Sequence, residues 1–366
     1  MYIKNLSIKD FRNYDEAKVE FSPRVNMIIG KNAQGKTNLI EALSLSSIGR
    51  SFRTSKENEL IMFGKERAFV SVSAEKEYTG TKVDITIGRN QKKIIKKDGK
   101  NIRKTSELIR NIIIVTFSPE DLRLVKGEPS QRRRFLDKEA AQIRPVYYEN
   151  LSGYRRALMQ RNICLRDGIN DYDVLDIWDQ TMINYGAELM MQRRRFISKL
   201  GEIFSEIYSN ITGGKEKAEI KYMPNIRFSD ENNYNIEKLI ESTLYDSREN
   251  DMRRMITTRG PHKDDMIFLI DGTDVRNYGS QGQQRTCALS LKLAELELIK
   301  EETGENGILL LDDVMSELDE DRRNYLIGSL SGSQVFVTGT EADDNIINDF
   351  PDTRIFKVSS GDVLRV

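Results

Sequence analysis

The segment GKNAQGKT, residues 30–37, satisfies G-x-x-x-x-G-K-[ST] at every specified position. It follows the continuous run Val25–Ile29 and opens the helical pattern TNLIEALSLSS, an amphipathic one, so a buried strand, a glycine-bearing loop and a helix succeed one another. That order admits few folds. The strand must lie inside an α/β sheet and deliver the loop to its carboxyl edge, where a helix N terminus gathers unpaired N–H groups. The backbone of Gly30, Lys31, Asn32, Ala33, Gln34 and Gly35 would cradle α- and β-phosphates. Lys36 would reach the β- and γ-phosphates and Thr37 would bind Mg2+ through its hydroxyl, with Asn38 completing the candidate nucleotide site.

A second apolar run, ILLL, ends in Asp312 and Asp313, two adjacent carboxylates at the edge where α/β sheets bind ligands. Asp312 would hold Mg2+ through water. Asp313, pointing the other way along the strand, would polarise an attacking water as general base. A third feature is YGSQGQQRTCALSLKLAELE, residues 278–297, in which glycine, serine and glutamine precede an apolar helix marked by Leu289, Leu293 and Leu296. Its start reads either as an N-capped turn or as a second anion site, the anion then being a nucleotide phosphate.

Lys+Arg and Asp+Glu both number 57, so any nucleic-acid binding must rest on local patches rather than on global charge. The single histidine, His262, argues against histidine-rich metal sites and Ser-His-Asp chemistry, and leaves carboxylates as general bases. It reads as a structural, hydrogen-bonding residue, with an interface role as the alternative. Cys164 and Cys287 form no CxxC and read as buried thiols of a reducing compartment. No apolar run is long enough for a bilayer and the start MYIKNLSIKDF has no signal-peptide core, so the expectation is a cytoplasmic protein without a membrane partner.

Period-two alternation predicts strands before and after the loop, and AFVSVSAE, KVDITIG and KKIIKKDGKNI predict an antiparallel meander. NIIIVTF reads as a further buried strand. From Tyr147 the spacing turns helical: Tyr147, Leu151, Tyr154, Leu158 and Leu165 follow a heptad. Leu175, Trp178, Met182, Tyr185, Leu189, Phe196, Leu200, Ile203 and Ile207 follow another. The second helix, residues 174–209, would be about 50 Å long, either as a projecting arm or within a four-helix core; Trp178 reads as core. Strands return in MIFLIDGTDV, GILLLDDV, QVFVTGT and RIFKVSSGDVLRV. The expected division is therefore residues 1–117 and 258–366 as two parts of one sheet-bearing body, with 118–257 inserted.

Taken in order, IKDFRNY, GKNAQGKTNLIEAL, GRSFRT, FSPEDLRLVKGEPSQRRRFLD, TTRGPHKDD, YGSQGQQRT and LLLDDVMSELD resemble the RecF family of SMC-like ABC ATPases, over nearly all 366 residues. The resemblance implies an α/β, ABC/SMC-like P-loop ATPase head, a mixed sheet with an antiparallel meander, carrying an inserted α-helical arm. It implies ATP and Mg2+ as cofactors, with Ser280, Gly282 and Gln283 capping the γ-phosphate held by a second copy, so that ATP drives a head-to-head homodimer. Asp313, Lys36 and Ser280 would then form the catalytic set. This sequence departs from the family pattern: Gln281 stands at a signature glycine and Asp313 at the usual glutamate, which implies slow turnover. Thr338 or Thr340 replaces the switch histidine, and Ser118 or Glu120 the glutamine after the strand ending near Phe117. Arg12 and Arg53 resemble phosphate- or DNA-facing arginines, with exposed structural arginines as the alternative.

RNQKKIIKKDGKNIRK, residues 89–104, is densely basic and offers Lys92, Lys93, Lys96 and Lys97; QRRRF occurs at 131–135, with Arg132 and Arg133, and again at 192–196. These runs read either as solvated faces or as sequence-independent phosphate contacts. The resemblance further implies single-stranded and gapped double-stranded DNA as ligand, DNA-stimulated hydrolysis, RecR and RecO as partners, RecA loading on SSB-coated DNA, and roles in repair, replication and SOS induction. Competing classes are a transporter ATPase subunit, a small-molecule P-loop kinase and a nucleotide-gated scaffold with little hydrolysis.

Overall fold

Apolar residues that alternate with period two can form a sheet wet on one face, whereas continuous apolar runs need cover on both. The computed structural model contains a six-stranded sheet of each kind and a third sheet of three strands. It describes residues 1–76, 79–121, 124–168, 172–229, 232–330 and 332–366; residues 122 and 123 of the FSPEDLRLVKGEPSQRRRFLD segment lie outside that description. The first elements are β1 Tyr2–Phe11, β2 Tyr14–Glu20, β3 Val25–Ile29, α1 Lys36–Ile48, β4 Arg67–Glu75, β5 Gly80–Gly88, β6 Gln91–Lys97, β7 Lys100–Asn101 and β8 Ile114–Phe117. Then follow α2 Pro129–Ile143, α3 Pro145–Arg166, α4 Tyr172–Thr212, β9 Ala218–Met223, α5 Asn233–Arg254, β10 Asp265–Ile270, β11 Thr273–Asp274, α6 Val275–Tyr278 and α7 Gln281–Thr303. The chain closes with β12 Ile308–Leu311, α8 Glu320–Ser329, β13 Val335–Gly339, α9 Asp344–Asp349, β14 Arg354–Ser359 and β15 Asp362–Arg365.

Contacts divide these elements into two units, Met1–Leu122 with Lys292–Val366, and Arg123–Leu291. The first unit holds the meander, ordered β2-β1-β4-β5-β6-β7, and a second sheet ordered β15-β14-β3-β13-β12-β8. In the second sheet β14, β3, β13, β12 and β8 run parallel, and only β15 turns back as a hairpin partner of β14. Their carboxyl ends therefore share one edge, with β13 between β3 and β12. Helix α1, expected to be amphipathic, is buried along nearly its whole length because it packs against strands of both sheets. Two of its serines bond within the helix: Ser44 and Ser46 hydroxyls donate to the carbonyls of Glu41 and Leu43.

The second expected boundary, at 258, shifts into α7. The reason is β9, AEIKYM, which was not anticipated. It pairs antiparallel with β10 from Asp265↔Met223 to Ile270↔Ala218, so β10 and β11 form a three-stranded sheet of the second unit and do not join the parallel sheet. The long helix is found at Tyr172–Thr212, but its buried seam differs from the expected heptad. Asp179, Gly186 and Arg193 lie on the buried face with Leu175, Met182, Leu189, Phe196 and Leu200, and the seam then continues through Phe204 and Tyr208 rather than Ile203 and Ile207. Trp178 packs partly buried beside Cys164, Leu165 and Leu175, and both cysteines are buried free thiols.

The charges on this seam are paired. Arg161, fully buried, donates to Asp179 at 2.5 Å, Asp251 at 2.7 Å and the Thr257 hydroxyl at 2.9 Å. Arg193 donates to Asp137 at 2.7 Å, Asp264 at 2.9 Å, the Pro261 carbonyl at 2.6 Å and the Tyr147 hydroxyl at 3.0 Å. The second QRRRF run thus places Arg193 inside the unit. His262 sits in the same region, its Nε2 at 3.0 Å from the Thr257 carbonyl and its Nδ1 at 2.7 Å from the Tyr154 hydroxyl. A neutral ring that donates from Nε2 and accepts at Nδ1 satisfies both. Burial pushes its pKa down to about 4.

Removing one partner of a buried ion network strands the others. Arg161→Met should destabilise the protein by about 3–5 kcal/mol in urea unfolding, and a loss below ~1 kcal/mol would show the network to be energetically idle. Because the folded His262 pKa lies below that of the unfolded chain, stability is complete above about pH 6.5 and falls as pH drops toward 4, by at most about 3 kcal/mol from this group. The sole imidazole should titrate near 4 by NMR; titration at 6 or above contradicts the buried neutral ring.

Candidate functional site

The loop between β3 and α1 closes tightly because two glycines occupy backbone space no other residue can. Gly30 has φ 154°, and a Cβ there would lie 2.3 Å from the Val358 carbonyl oxygen of β14; Gly35 has φ 119°, and its Cβ would lie 2.7 Å from the Asn13 side chain. Within this loop Lys36 folds back, its ammonium donating to the carbonyls of Gly30 at 2.5 Å and Lys31 at 3.1 Å. Burial holds that ammonium below the usual lysine range, against the pull of Asp313 and Asp312.

The parallel order puts β13 between the loop and the paired acids, and Thr338 on β13 joins them. Asp312 Oδ1 accepts from Thr37 Oγ1 at 3.0 Å and from Thr338 Oγ1 at 2.9 Å. Thr338 Oγ1 in turn accepts the Asp313 N–H at 2.8 Å. Burial raises the Asp312 pKa, while the hydroxyls of Thr338 and Thr37 stabilise its charge. Of the two threonines offered for the switch position, Thr338 is thus at the centre, whereas Thr340 is exposed beyond the strand end. Asp313 does not continue the strand. Its φ of 55° turns the chain after Leu311, and the carboxylate is exposed at the sheet edge.

Thr37 Oγ1 and Asp312 Oδ1 stand 3.0 Å apart, about the spacing of adjacent ligands in an octahedron with ~2.1 Å bonds. One alcohol and one carboxylate is a donor set that suits Mg2+, which keeps waters and takes phosphate oxygens for its remaining positions. Among the described residues no cluster of three or more His, Cys, Asp or Glu offers an all-protein metal cage.

Other expected residues have different neighbours. Arg12 and Asn38 lie beside the loop but are engaged by protein groups: Arg12 pairs with Glu41 through Nε and Nη2 and donates to the Glu59 carbonyl through Nη1. Asn38 bonds Asn13 and Arg53. Ser118 is closed into a turn, its N–H and hydroxyl both donating to Asp121, while Glu120 is exposed. Ser280 and Gln283 form a reciprocal capping box at the start of α7: the Ser280 N–H donates to Gln283 Oε1 at 2.8 Å and the Gln283 N–H to Ser280 Oγ at 3.2 Å. The Gln283 amide also donates to Glu216, and Ser280 is exposed while Gly282 is half-buried.

Among the basic residues, Lys92 and Lys96 are exposed on β6 and Lys97 is half-buried. Lys93 is tied down by the Gly49 carbonyl and Glu57. Arg132 corrects the expectation of a surface cation: it is 2% exposed, with Asp265 accepting from two of its nitrogens at 2.8 and 2.7 Å. Arg133 is half-buried and donates to the Asp264 carbonyl. Sequence reasoning missed the groups that brace the loop from outside. Asn13 Nδ2 and the Gly361 N–H donate to the Gln34 carbonyl, the Tyr14 hydroxyl donates to the Gly35 carbonyl, and the Ser360 N–H donates to Gln34 Oε1. IKDFRNY carried Asn13 and Tyr14 in view, but no local signal connected them to residues 34 and 35.

The sequence model described as RecF/RecN/SMC N terminal domain matches residues 2–354. The DNA replication and repair protein RecF of Agathobacter rectalis is 42% identical over 366 residues, covering 99% of this chain and 99% of that protein. The protein of the same name from Clostridioides difficile is 41% identical over 367 residues, covering 100% and 99%. A solved structure of the recombination mediator protein RecF with ATP, in the RecFOR pathway, superposes with a TM-score of 0.91 at 38% identity, covering 100% of this chain and 97% of that one. The Smc head domain with an extended coiled coil from Pyrococcus furiosus covers 100% of this chain and 96% of its own, at a TM-score of 0.56 and 15% identity, and shares the fold alone.

Thr338 is both donor and acceptor in a buried position, so Thr338→Val should deprive Asp312 of one of its two hydroxyl donors, strand the Asp313 N–H and cost about 1–3 kcal/mol in urea unfolding of nucleotide-free protein. Thr338→Ser keeps the hydroxyl and should stay within ~1 kcal/mol of wild type. Equal midpoints for Thr338→Val and wild type contradict the bridging role.

Proposed function

The chain belongs to the RecF family within the RecF/RecN/SMC N-terminal-domain proteins, and on that premise we propose that it is an ATP-gated DNA-binding ATPase of replication and recombination repair. The observation that carries this reading is the convergence on Asp312 of Thr37 from the phosphate loop and Thr338 from the neighbouring strand, with Lys36 curled over the same loop. Loop N–H groups and Lys36 hold the phosphates. Thr37 and Asp312 hold Mg2+, which when bound neutralises phosphate charge. Asp313 orients the attacking water and accepts its proton; as a short, exposed carboxylate it does so slowly.

Ser280, Gly282 and Gln283 at the start of α7 supply N–H groups and a hydroxyl to the γ-phosphate bound by a second copy, so that ATP joins two copies and hydrolysis releases them. The exposure of Ser280 supports this use. Lys92, Lys96, Lys97 and Arg133 contribute sequence-independent contacts to single-stranded or gapped DNA, which stimulates hydrolysis. RecR and RecO are the proposed partners, RecA loading on SSB-coated DNA in the cytoplasm the proposed outcome, and repair, replication and SOS induction the proposed settings. Full-length similarity to DNA replication and repair proteins supports this over a transporter subunit or a small-molecule kinase. The exposed, left-handed Asp313 favours one second reading, a nucleotide-gated scaffold with little hydrolysis.

Lys36→Arg should weaken ATP binding by roughly tenfold or more, since a guanidinium does not fit the point-charge seat of the ammonium. Ser280→Arg should bind ATP as wild type does yet remain monomeric in sedimentation with ATP, at a cost of about 1 kcal/mol for the lost helix cap. ATP-driven association of Ser280→Arg equal to that of wild type would remove the signature from the interface.

A further inference from the structure

Arg12 and Asn38, both expected at the nucleotide, lead instead to one carboxylate. Glu41, on α1 one turn beyond Thr37, is completely buried. It accepts Arg12 Nε and Nη2 at 2.9 and 2.8 Å and Arg53 Nη1 at 3.1 Å, together with the Ser51 hydroxyl. Arg12 occupies the turn between β1 and β2 with φ 53°, a left-handed conformation that a non-glycine residue keeps only where its surroundings impose it. Its neighbour in that turn is Asn13.

From Arg53 a directed relay returns to the same turn. Arg53 Nη1 donates to Asn38 Oδ1 at 2.8 Å, Asn38 Nδ2 to Asn13 Oδ1 at 2.8 Å, and Asn13 Nδ2 to the Gln34 carbonyl at 2.9 Å. Glu41 therefore grips Asn13 twice, through the backbone of Arg12 and through Arg53 and Asn38. The last bond has a consequence for the loop. In a trans peptide the C=O and the following N–H point in opposite directions. Holding the Gln34 carbonyl outward on Asn13 aims the Gly35 N–H into the loop, and holding the Gly35 carbonyl outward on the Tyr14 hydroxyl at 2.9 Å does the same for the Lys36 N–H.

We propose that Glu41 is a positioning residue for the phosphate loop: by fixing Arg12 and Arg53 it sets the Asn38–Asn13 relay that turns the loop's N–H groups toward an anion. This rests on the loop being a nucleotide site. A buried carboxylate is costly to hold in place unless fully paired, and here Arg12, Ser51 and Arg53 come from segments that border the loop or its helix.

The test measures the Kd of a fluorescent ATP analogue with Mg2+, and hydrolysis at saturating ATP, for wild type, Glu41→Gln, Asn13→Asp and the double variant. Glu41→Gln removes the charge that holds both arginines. Asn13→Asp faces the Gln34 carbonyl with a carboxylate oxygen, at a half-exposed position that tolerates the change. Each single variant should raise Kd roughly tenfold, and the double variant should add no more than about twofold, because both act on one ring. Turnover at saturation should stay within about twofold of wild type. A purely structural Glu41 would lower the folded fraction and leave Kd unchanged, and that result overturns the inference. So does a raised Kd in Glu41→Gln with a normal one in Asn13→Asp. If Glu41→Gln does not fold, Asn13→Asp decides alone. Wild type that fails to bind the analogue overturns the nucleotide reading and this inference together.

Discussion

One oxygen atom organises the carboxyl edge of the parallel sheet in the first unit. Asp312 Oδ1 accepts hydroxyls from Thr37 and Thr338, and so ties the helix after the phosphate loop, the end of β12 and the middle strand β13 to a single point. Parallel strand order makes this possible, because β13 lies between β3 and β12 and all three end at one edge. The Thr338 hydroxyl also accepts the Asp313 N–H, so the left-handed step that exposes Asp313 is fixed by the same group that orients Asp312. A cation between Thr37 and Asp312 would replace a hydroxyl donor with a stronger positive charge, and the buried carboxylate is already raised in pKa and short of charge stabilisation.

What was legible in the sequence follows from the range of each signal. The phosphate loop, the run ending at Asp312 and the meander are local patterns, and all appear where spacing placed them. Of Thr338 and Thr340, Thr338 lies on β13 and meets Asp312, whereas Thr340 lies beyond the strand end at Gly339. The bracing of the loop by Asn13, Tyr14, Ser360 and Gly361 joins segments hundreds of residues apart or at opposite ends of the β2–β3 stretch, and carries no periodic signature. Strand β9 is short, weakly alternating and follows a long helix. Missing it moved the second boundary, since β10 could then only be assigned to the larger sheet.

Charge was misread for a related reason. In one dimension QRRRF is a basic cluster, but Arg132 finds its carboxylate at Asp265 and Arg193 at Asp137 and Asp264, partners that lie far along the chain. Apolar periodicity likewise passes over Asp179 and Arg193, though both occupy the buried seam of α4. A chain with equal numbers of acids and bases can spend part of its charge internally: Arg132 and Arg193 are withdrawn from the surface, while Lys92, Lys96, Lys100, Arg103, Lys104, Arg134 and Arg195 of the basic runs stay exposed.

The central proposal is that nucleotide controls the hold on DNA. It is tested most directly by fluorescence anisotropy of a labelled gapped duplex titrated with the Asp313→Asn protein, with and without Mg-ATP, at two salt concentrations. The account predicts tight binding only with ATP, weakening steeply as salt rises because the contacts are to phosphates. Binding that ignores ATP, or that does not occur at either salt, contradicts it.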